Sequence, residues 1–342
     1  MGEICQENLR LDAYLAALFP DKSLRTRRRM IALGHILVNG ALCKPGYRLK
    51  AKDTVTCKSD TSFLPKLMPL SDPPRFVSRQ NGFYFFYKPA KLHTVHLSGS
   101  TAPSLEKALP QLCAEHVGPV SSLPSLVQRL DYGTSGLLCA VEEEKKALFL
   151  KAEEEGLLEK KYLALIEGAI SAPFLISNAL DTDSRKKTRV LPQRAEISRY
   201  TFVFPLVFFP TFAQLPSWLA CDRALCEQCG QGISLVGCSI LRGARHQIRA
   251  HLAYKGHPLV GDGLYGRGTP ISFYLHQCAI HTPFASEKCL PAWIRADYPP
   301  LLDSWIEKDG RSEMLRLAEE FFQGIDKAEE IVFLNGQSRQ QP

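Results

Sequence analysis

Leu9, Leu11, Leu15 and Leu18 recur at helical spacing and stop before Pro20, so the chain opens with an amphipathic helix. Ser23 or Thr26 can cap a second helix that runs through Leu33 and is closed by Gly34. Ile36-Leu37-Val38 then meets Asn39-Gly40, a strong two-residue hairpin signal, and Ala41-Leu42-Cys43 returns. The pattern predicts a small helical module with a hairpin over residues 1–58. Residues 59–80 carry Pro65, Pro69, Pro73 and Pro74 without periodicity and read as a linker. Beyond it, GFYFFYKPAKLHTVH reads as a strand that ends at Lys88-Pro89. Leu137 to Val141 reads as a central strand, and Glu159–Gly168, EKKYLALIEG, as a strand with alternating faces. Helices are expected around Ser104–Glu115 and Lys145–Glu155, among short apolar strands that continue to about Phe284. These elements define a larger domain over 81–300. A peripheral helix, Met314–Ala328, and a polar tail from Asn335 belong to 301–342.

Charge adds a partner to this picture. The net charge is +7, and residues 1–60 hold 11 Lys and Arg against 6 Asp and Glu. Arg25, Arg27, Arg28 and Arg29 crowd the second helix, more cations than helix stability needs. A basic head points to a polyanion, with nucleic acid first among candidates, against the plainer reading of a solvated helix face. The start of the chain is polar, with Glu3 and Glu7 and no secretory core, and its 11 cysteines follow no disulfide framework. A reduced, cytoplasmic setting is expected. The uncharged stretch Tyr200–Cys221 is broken by Pro205, Pro210 and Pro216, which argues for a strand and loop and against a membrane span.

The chemistry centres on LVQRLDYGTSGLLCAVE, residues 126–142. Asp131 follows an apolar run and precedes a turn of Gly133, Thr134, Ser135 and Gly136, with Arg129 two residues before it. The glycines permit a bend and a close approach of ligand to backbone. A carboxylate can act as a nucleophile or base only if it is ionised where water is scarce, and burial alone opposes ionisation unless a cation stands beside it. The plain alternative is that Asp131 bonds the backbone N–H groups of Gly133 and Thr134 and caps the turn. Arg245, His246, Arg249 and His251 fall together on a run predicted to be helical, with no Glu to complete a metalloprotease pattern. Cys221, Cys226, Cys229 and Cys238 have a spacing that a zinc ion could use, but Cys238 falls within a strand, and no metal is assigned.

The segment around Asp131 resembles the HRLDxxTSGLL motif of the RluA-type pseudouridine synthases, with Gln128 in place of the motif's His. Tyr87–Leu92 resembles the same family's YKPAGL element, with Lys91 for Gly. Lys160, Tyr162 and Ala164 match its KxYxA element, and His246–Arg249 its HQIR. The family's Arg before HQIR is displaced by one position, to Arg245. Residues 9–55 resemble the S4 RNA-binding domain. The resemblance implies an α+β fold: a mixed, mainly antiparallel sheet with flanking helices and a central active-site cleft, preceded by a small S4-type module.

It also implies site residues. Asp131 would be the nucleophile, Tyr162 would stack on the flipped uracil, and Arg249 would pair with Asp131. Arg129 would fill the space that the base vacates and contact phosphate. Arg25, Arg27, Arg28, Arg29, Arg245 and His246 would bind RNA. The implied activity isomerises specific uridines in structured ribosomal or transfer RNA. It needs no redox step or energy input, so no cofactor is expected, which agrees with a sequence lacking a dinucleotide fingerprint and a phosphate loop. A monomer is expected. A competing reading is an RNA-binding protein that keeps the synthase fold without catalysis, and its support is Gln128, Lys91 and the displaced Arg245. A carboxylate-nucleophile hydrolase would need a partner His as base, and no such placement is evident.

Overall fold

A computed structural model describes residues 3–4, 8–19, 24–32, 36–57, 72–96, 102–118, 122–183, 186–222, 230–266, 273–309, 311, 312, 314 and 316, without the side chains of 3, 4, 25, 26, 29, 32 and 212. The chain divides into two compact units, Met1–Leu67 and Met68–Pro342.

In the first unit, α1 (Leu11–Leu18) and α2 (Leu24–Ala32) accompany a four-stranded sheet in the order β1 (Glu3–Ile4), β4 (Thr54–Cys57), β2 (Ile36–Val38) and β3 (Ala41–Leu42). Leu11 and Leu15 of α1 meet Ile31, Ile36, Val38, Leu49 and Val55 in one core, as the helical spacing predicts. Asn39 and Gly40 both take left-handed backbone angles, φ 51° and 76°, the requirement of the hairpin turn expected there. Asp12 is buried and accepts hydrogen bonds from Arg10 and Arg28, and these pull its carboxyl down to about 2. Arg28 is therefore tied to the fold of the module. The caps proposed at Ser23 and Gly34 lie outside the described residues.

The second unit is built on one large sheet. Its main path runs β10 (Phe174–Ile176), β13 (Thr201–Phe209), β14 (Ile233–Ile240), β9 (Glu159–Glu167), β15 (Leu275–His281), β8 (Ser135–Val141), β6 (Phe83–Lys88) and β5 (Arg75–Gln80). Two short strands, β7 (Ser125–Leu126) and β16 (Ser286–Lys288), pair with β8 and β15. All of these pairings are antiparallel except β15 with β8, so the sheet is mixed and mainly antiparallel, as expected. A separate hairpin joins β11 (Asn178–Asp181) to β12 (Arg189–Arg194).

Both faces of the sheet centre are covered, which is why β6, β8, β9 and β14 are apolar runs rather than clean alternations. On one face Tyr84, Phe86, Leu138, Tyr162, Val236 and Cys238 pack with α3 (Leu105–His116) and α5 (Gln247–Tyr254). On the other, Leu163, Leu165, Leu235 and Cys278 pack with Trp293 and α6 (Leu301–Glu307). The helices at 104–115 and 145–155 are observed as α3, capped by the Ser104 hydroxyl, and α4 (Glu143–Glu154).

Two boundaries differ from the sequence reading. Arg75–Gln80, inside the expected linker, is strand β5: it pairs with β6, and its Arg75 guanidinium lies 3.9 Å from the Tyr87 ring centroid. Leu301–Glu307, assigned to the C-terminal segment 301–342 rather than to the larger domain, buries Leu302, Trp305 and Ile306, and the buried Lys161 ammonium donates to the Trp305 and Ile306 carbonyls. Met314 is also buried, against Phe202 and Leu241, while most of the helix expected to follow lies outside the described residues.

Candidate active site

Asp131 sits in the loop between β7 and β8, and the loop after β6 braces it on both sides. The Thr94 hydroxyl donates to the Leu130 carbonyl (2.9 Å) and accepts from the Leu130 N–H (3.1 Å). The Lys91 N–H donates to the Tyr132 carbonyl at 2.6 Å. Lys91 holds φ 66°, in the left-handed region, which explains why the resembling families place Gly there. Behind the loop, Gly136 has φ 126°, and a Cβ on it would stand 2.3 Å from the Gln277 carbonyl oxygen. The parallel contact between β8 and β15 needs a residue without a side chain at this point.

The turn-capping reading of Asp131 does not hold. The Thr134 N–H bonds the Asp131 backbone carbonyl, and the carboxylate turns to Arg249, whose Nη1 donates to Oδ2 at 3.0 Å. Arg249 in turn grips Asp262 with a two-pronged contact, Nε to Oδ2 at 2.7 Å and Nη2 to Oδ1 at 3.0 Å. Asp262 is fully buried and also accepts the N–H groups of Leu264 and Tyr265. Phe273 and Tyr265 flank the guanidinium, with ring centroids at 4.3 and 5.2 Å. Burial works against the charge of Arg249, yet the two carboxylates outweigh it and raise its pKa, so the cation is fixed. The Asp131 side chain keeps 22% of its surface open while Arg249 keeps 6%, so the pair presents the carboxylate outward.

Arg249 owes its position to α5, and the residues before that helix build its start. His246 takes φ 56°, and the Gln247 side chain accepts from the Ala244 N–H and donates to the Arg199 carbonyl. The four residues read as one helical cluster therefore separate. His246 precedes the helix, with Nε2 3.7 Å from Asp131 Oδ1 and Nδ1 3.1 Å from the Tyr265 hydroxyl, and burial lowers its pKa. Arg245 points elsewhere, donating to the Thr182 carbonyl. His251 faces the core between Thr201 and Asn178, with its pKa pushed down to about 4 by burial. The left-handed residue at His246 delays the start of the helix to Gln247, so Arg245 and His246 fall outside it.

Across the sheet, register places Lys88, Gly136, Gln277, Tyr162 and Cys238 side by side on β6, β8, β15, β9 and β14. Direct neighbours project to one face, so these residues form a row beneath the Asp131 loop. Tyr162 is 6% exposed, burial pushes its phenol above the ordinary range, and Asp131 adds to that shift. Its hydroxyl donates to Gln277 Oε1 at 2.5 Å. Lys88 is fully buried, donates to the Pro89 and Leu92 carbonyls, and is pushed down to about 7 by burial against the opposing pull of Asp131. Asp131, Tyr162 and Arg249 thus belong to one locality, and the structure adds Asp262, Lys88 and Gln277. Gln128 is buried, and neither atom of its amide group has a partner among the described residues. Arg129 is exposed beside it.

Cys238 packs in the core on the Tyr162 face, and Cys221 against the opposite face, so these two do not approach one ion. Cys226 and Cys229 lie outside the described residues, and no group of three metal-ligating side chains occurs among the described ones. The Tyr200–Cys221 stretch is β13 and the irregular chain after it, and no described helix is long and apolar enough to cross a membrane.

Comparison with known proteins identifies the family. The model of the RNA pseudouridylate synthase family matches residues 82–254, and that of the S4 domain residues 9–55. The ribosomal large subunit pseudouridine synthase D of Zymomonas mobilis is 25% identical over 268 residues, 75% of this chain and 77% of that protein. An uncharacterized RNA pseudouridine synthase of Aquifex aeolicus is 28% identical over 280 residues, covering 76% and 78%. The structure of human RNA pseudouridylate synthase domain containing 1 shares 22% identity over 72% of this chain and 95% of its own, with a TM-score of 0.47. With the family match extending over half of its length and an S4 RNA-binding domain ahead of it, the chain belongs to the RluA-type RNA pseudouridine synthases, which are isomerases.

Proposed function

We propose that Asp131 is the nucleophile of this synthase and that its substrate is a uridine in ribosomal RNA, with transfer RNA as the second candidate. The observation that carries the reading is the Asp131–Arg249 pair, a half-open carboxylate held by a cation that Asp262 fixes from behind. The names of the relatives favour a ribosomal target.

The uridine leaves its stack to reach the row beneath the loop, at a cost of a few kcal/mol. The N1–C1′ bond breaks, the uracil turns, a C5–C1′ bond forms, and the C5 proton is lost while N1 gains one. Asp131 either bonds C1′, holding the sugar while the base turns, or takes a proton from C2′. Tyr162 serves as the surface on which uracil rests, its hydroxyl held protonated. Arg129, exposed near Asp131, contacts phosphate and fills the vacated stack. The basic α2 of the S4 module adds phosphate contacts that position without reading sequence.

The test compares the wild type with Asp131→Asn and Asp131→Ala on total RNA from cells lacking the gene, with pseudouridines mapped before and after incubation. The wild type is expected to restore particular sites, while both variants bind the same RNA and restore none. A variant that works at the wild-type rate removes Asp131 from the chemistry.

A further inference from the structure

We infer that Gln277 recognises the target base, donating a hydrogen bond from its side-chain amide to a carbonyl oxygen of the uracil. The inference rests on the reading of Asp131 and Tyr162 as the place where uridine reacts, and it concerns a residue that the motif resemblance did not mark. Gln277 lies directly opposite Tyr162 on β9 and beside Gly136 on β8. It is 1% exposed, in a strand whose neighbours are mostly apolar. The Tyr162 hydroxyl stays protonated because burial raises its pKa, so it must donate, and Gln277 Oε1 is the acceptor at 2.5 Å. That contact fixes the amide plane and leaves Nε2, a buried donor, without any partner among the described residues.

A buried N–H group is rarely left unpaired, because the group loses its water and gains nothing in exchange. Here the unpaired donor stands next to the ring on which the base is proposed to rest, in the row beneath the loop that carries Asp131. Uracil offers two carbonyl acceptors, at C2 and C4, and a flipped base is read through hydrogen bonds to its edge. Cytosine shares the C2 carbonyl but carries an amino donor at C4, so contact at C4 would also reject cytosine, donor facing donor. Gln277 is thus suited to favour uracil while fixing the hydroxyl of Tyr162. Both duties follow from one side chain whose acceptor end is already occupied.

The experiment pairs protein variants with altered bases. Gln277→Met keeps the volume and removes the amide, while Gln277→Glu keeps an acceptor for Tyr162 and removes the donor. Each is assayed in single turnover on a transcript carrying a site that the wild type modifies, with uridine, 2-thiouridine or 4-thiouridine at the target. Sulfur is a weak acceptor, so the thio substitution at the recognised carbonyl should slow the wild type about three- to tenfold, the loss of one ordinary hydrogen bond. The same substitution should slow neither variant further, because the donor is already gone. Gln277→Met leaves the buried Tyr162 hydroxyl without its acceptor and Gln277→Glu buries a carboxyl group, so both should melt several degrees below the wild type, and rates are compared at a temperature where all three are folded. If the slowing by each thiouridine is the same in wild type and variants, Gln277 does not touch the base and the inference fails, whatever the rate of the variants. A wild type that modifies no RNA overturns the proposed function instead, so the two failures are distinct.

Discussion

Replacing Lys88 with Met should change how stability depends on pH, in a direction and size that the structure specifies. The ammonium is fully buried and donates to two backbone carbonyls, and its pKa falls from 10.5 to about 7, chiefly through desolvation. Asp131 pulls the other way, and the neighbouring His276 is buried with its own pKa near 3. A folded pKa below the unfolded value means that the unfolded chain binds more protons between pH 7 and 10.5, so stability rises with pH through that window. At about 1.4 kcal/mol for each unit, the wild type should gain roughly 2 kcal/mol between pH 7 and pH 9 from this group alone. Lys88→Met lacks the gain. Lost hydrogen bonds to Pro89 and Leu92 shift the variant by a constant, which cancels in the comparison across pH. In thermal melts, the wild type should gain about 4 °C on the variant over those two units. Parallel curves would show that Lys88 titrates normally in the folded protein and that water reaches it.

Gly136→Ala sets a Cβ 2.3 Å from a backbone oxygen of β15, so β8 and β15 must part; a loss of stability above about 3 kcal/mol, measured by urea unfolding, is expected together with loss of activity. Lys91→Gly relieves the left-handed strain at φ 66° and should raise stability by up to about 1 kcal/mol, measured calorimetrically, with activity kept. Arg249→Lys cannot grip Asp262 with two prongs while reaching Asp131; turnover should fall more than tenfold and the melting temperature by roughly 5–10 °C, and wild-type turnover would place the cation in the scaffold alone.

The elements most legible in the sequence were those that local chemistry dictates. Asn39-Gly40 can make few turns but the one seen, and the apolar run 137–141 is central because both its faces are covered. Asp131 and Arg249 were legible through motifs. What the sequence concealed depends on register. Gln277 sits in LHQCAIH, where nothing local separates it from a filler residue, and only the pairing of β15 with β8 and β9 carries it to Tyr162. Lys88 ends an aromatic strand before Pro89 and reads as a polar stop, although the loop that follows folds back and covers it. Asp262 lies in the Gly-rich stretch GDGLYG and accepts backbone N–H groups, as a turn residue does. Its grip on Arg249 spans 13 positions and could not be inferred from the turn. The strand at Arg75–Gln80 was missed because the prolines before it dominate its surroundings.

Arg249 is shared by two carboxylates, and that arithmetic governs what can enter. Asp131 and Asp262 bring two formal negative charges to one guanidinium, and Lys88, poised near pH 7, returns part of another positive charge from below. Before RNA arrives, the interior therefore runs between one negative charge and neutrality. Such a place offers a phosphate no excess of positive charge, and an uncharged ring enters it at less electrostatic cost. An RNA chain can present its base there only by turning its backbone away, so the backbone must be held at the rim, where Arg129 is exposed.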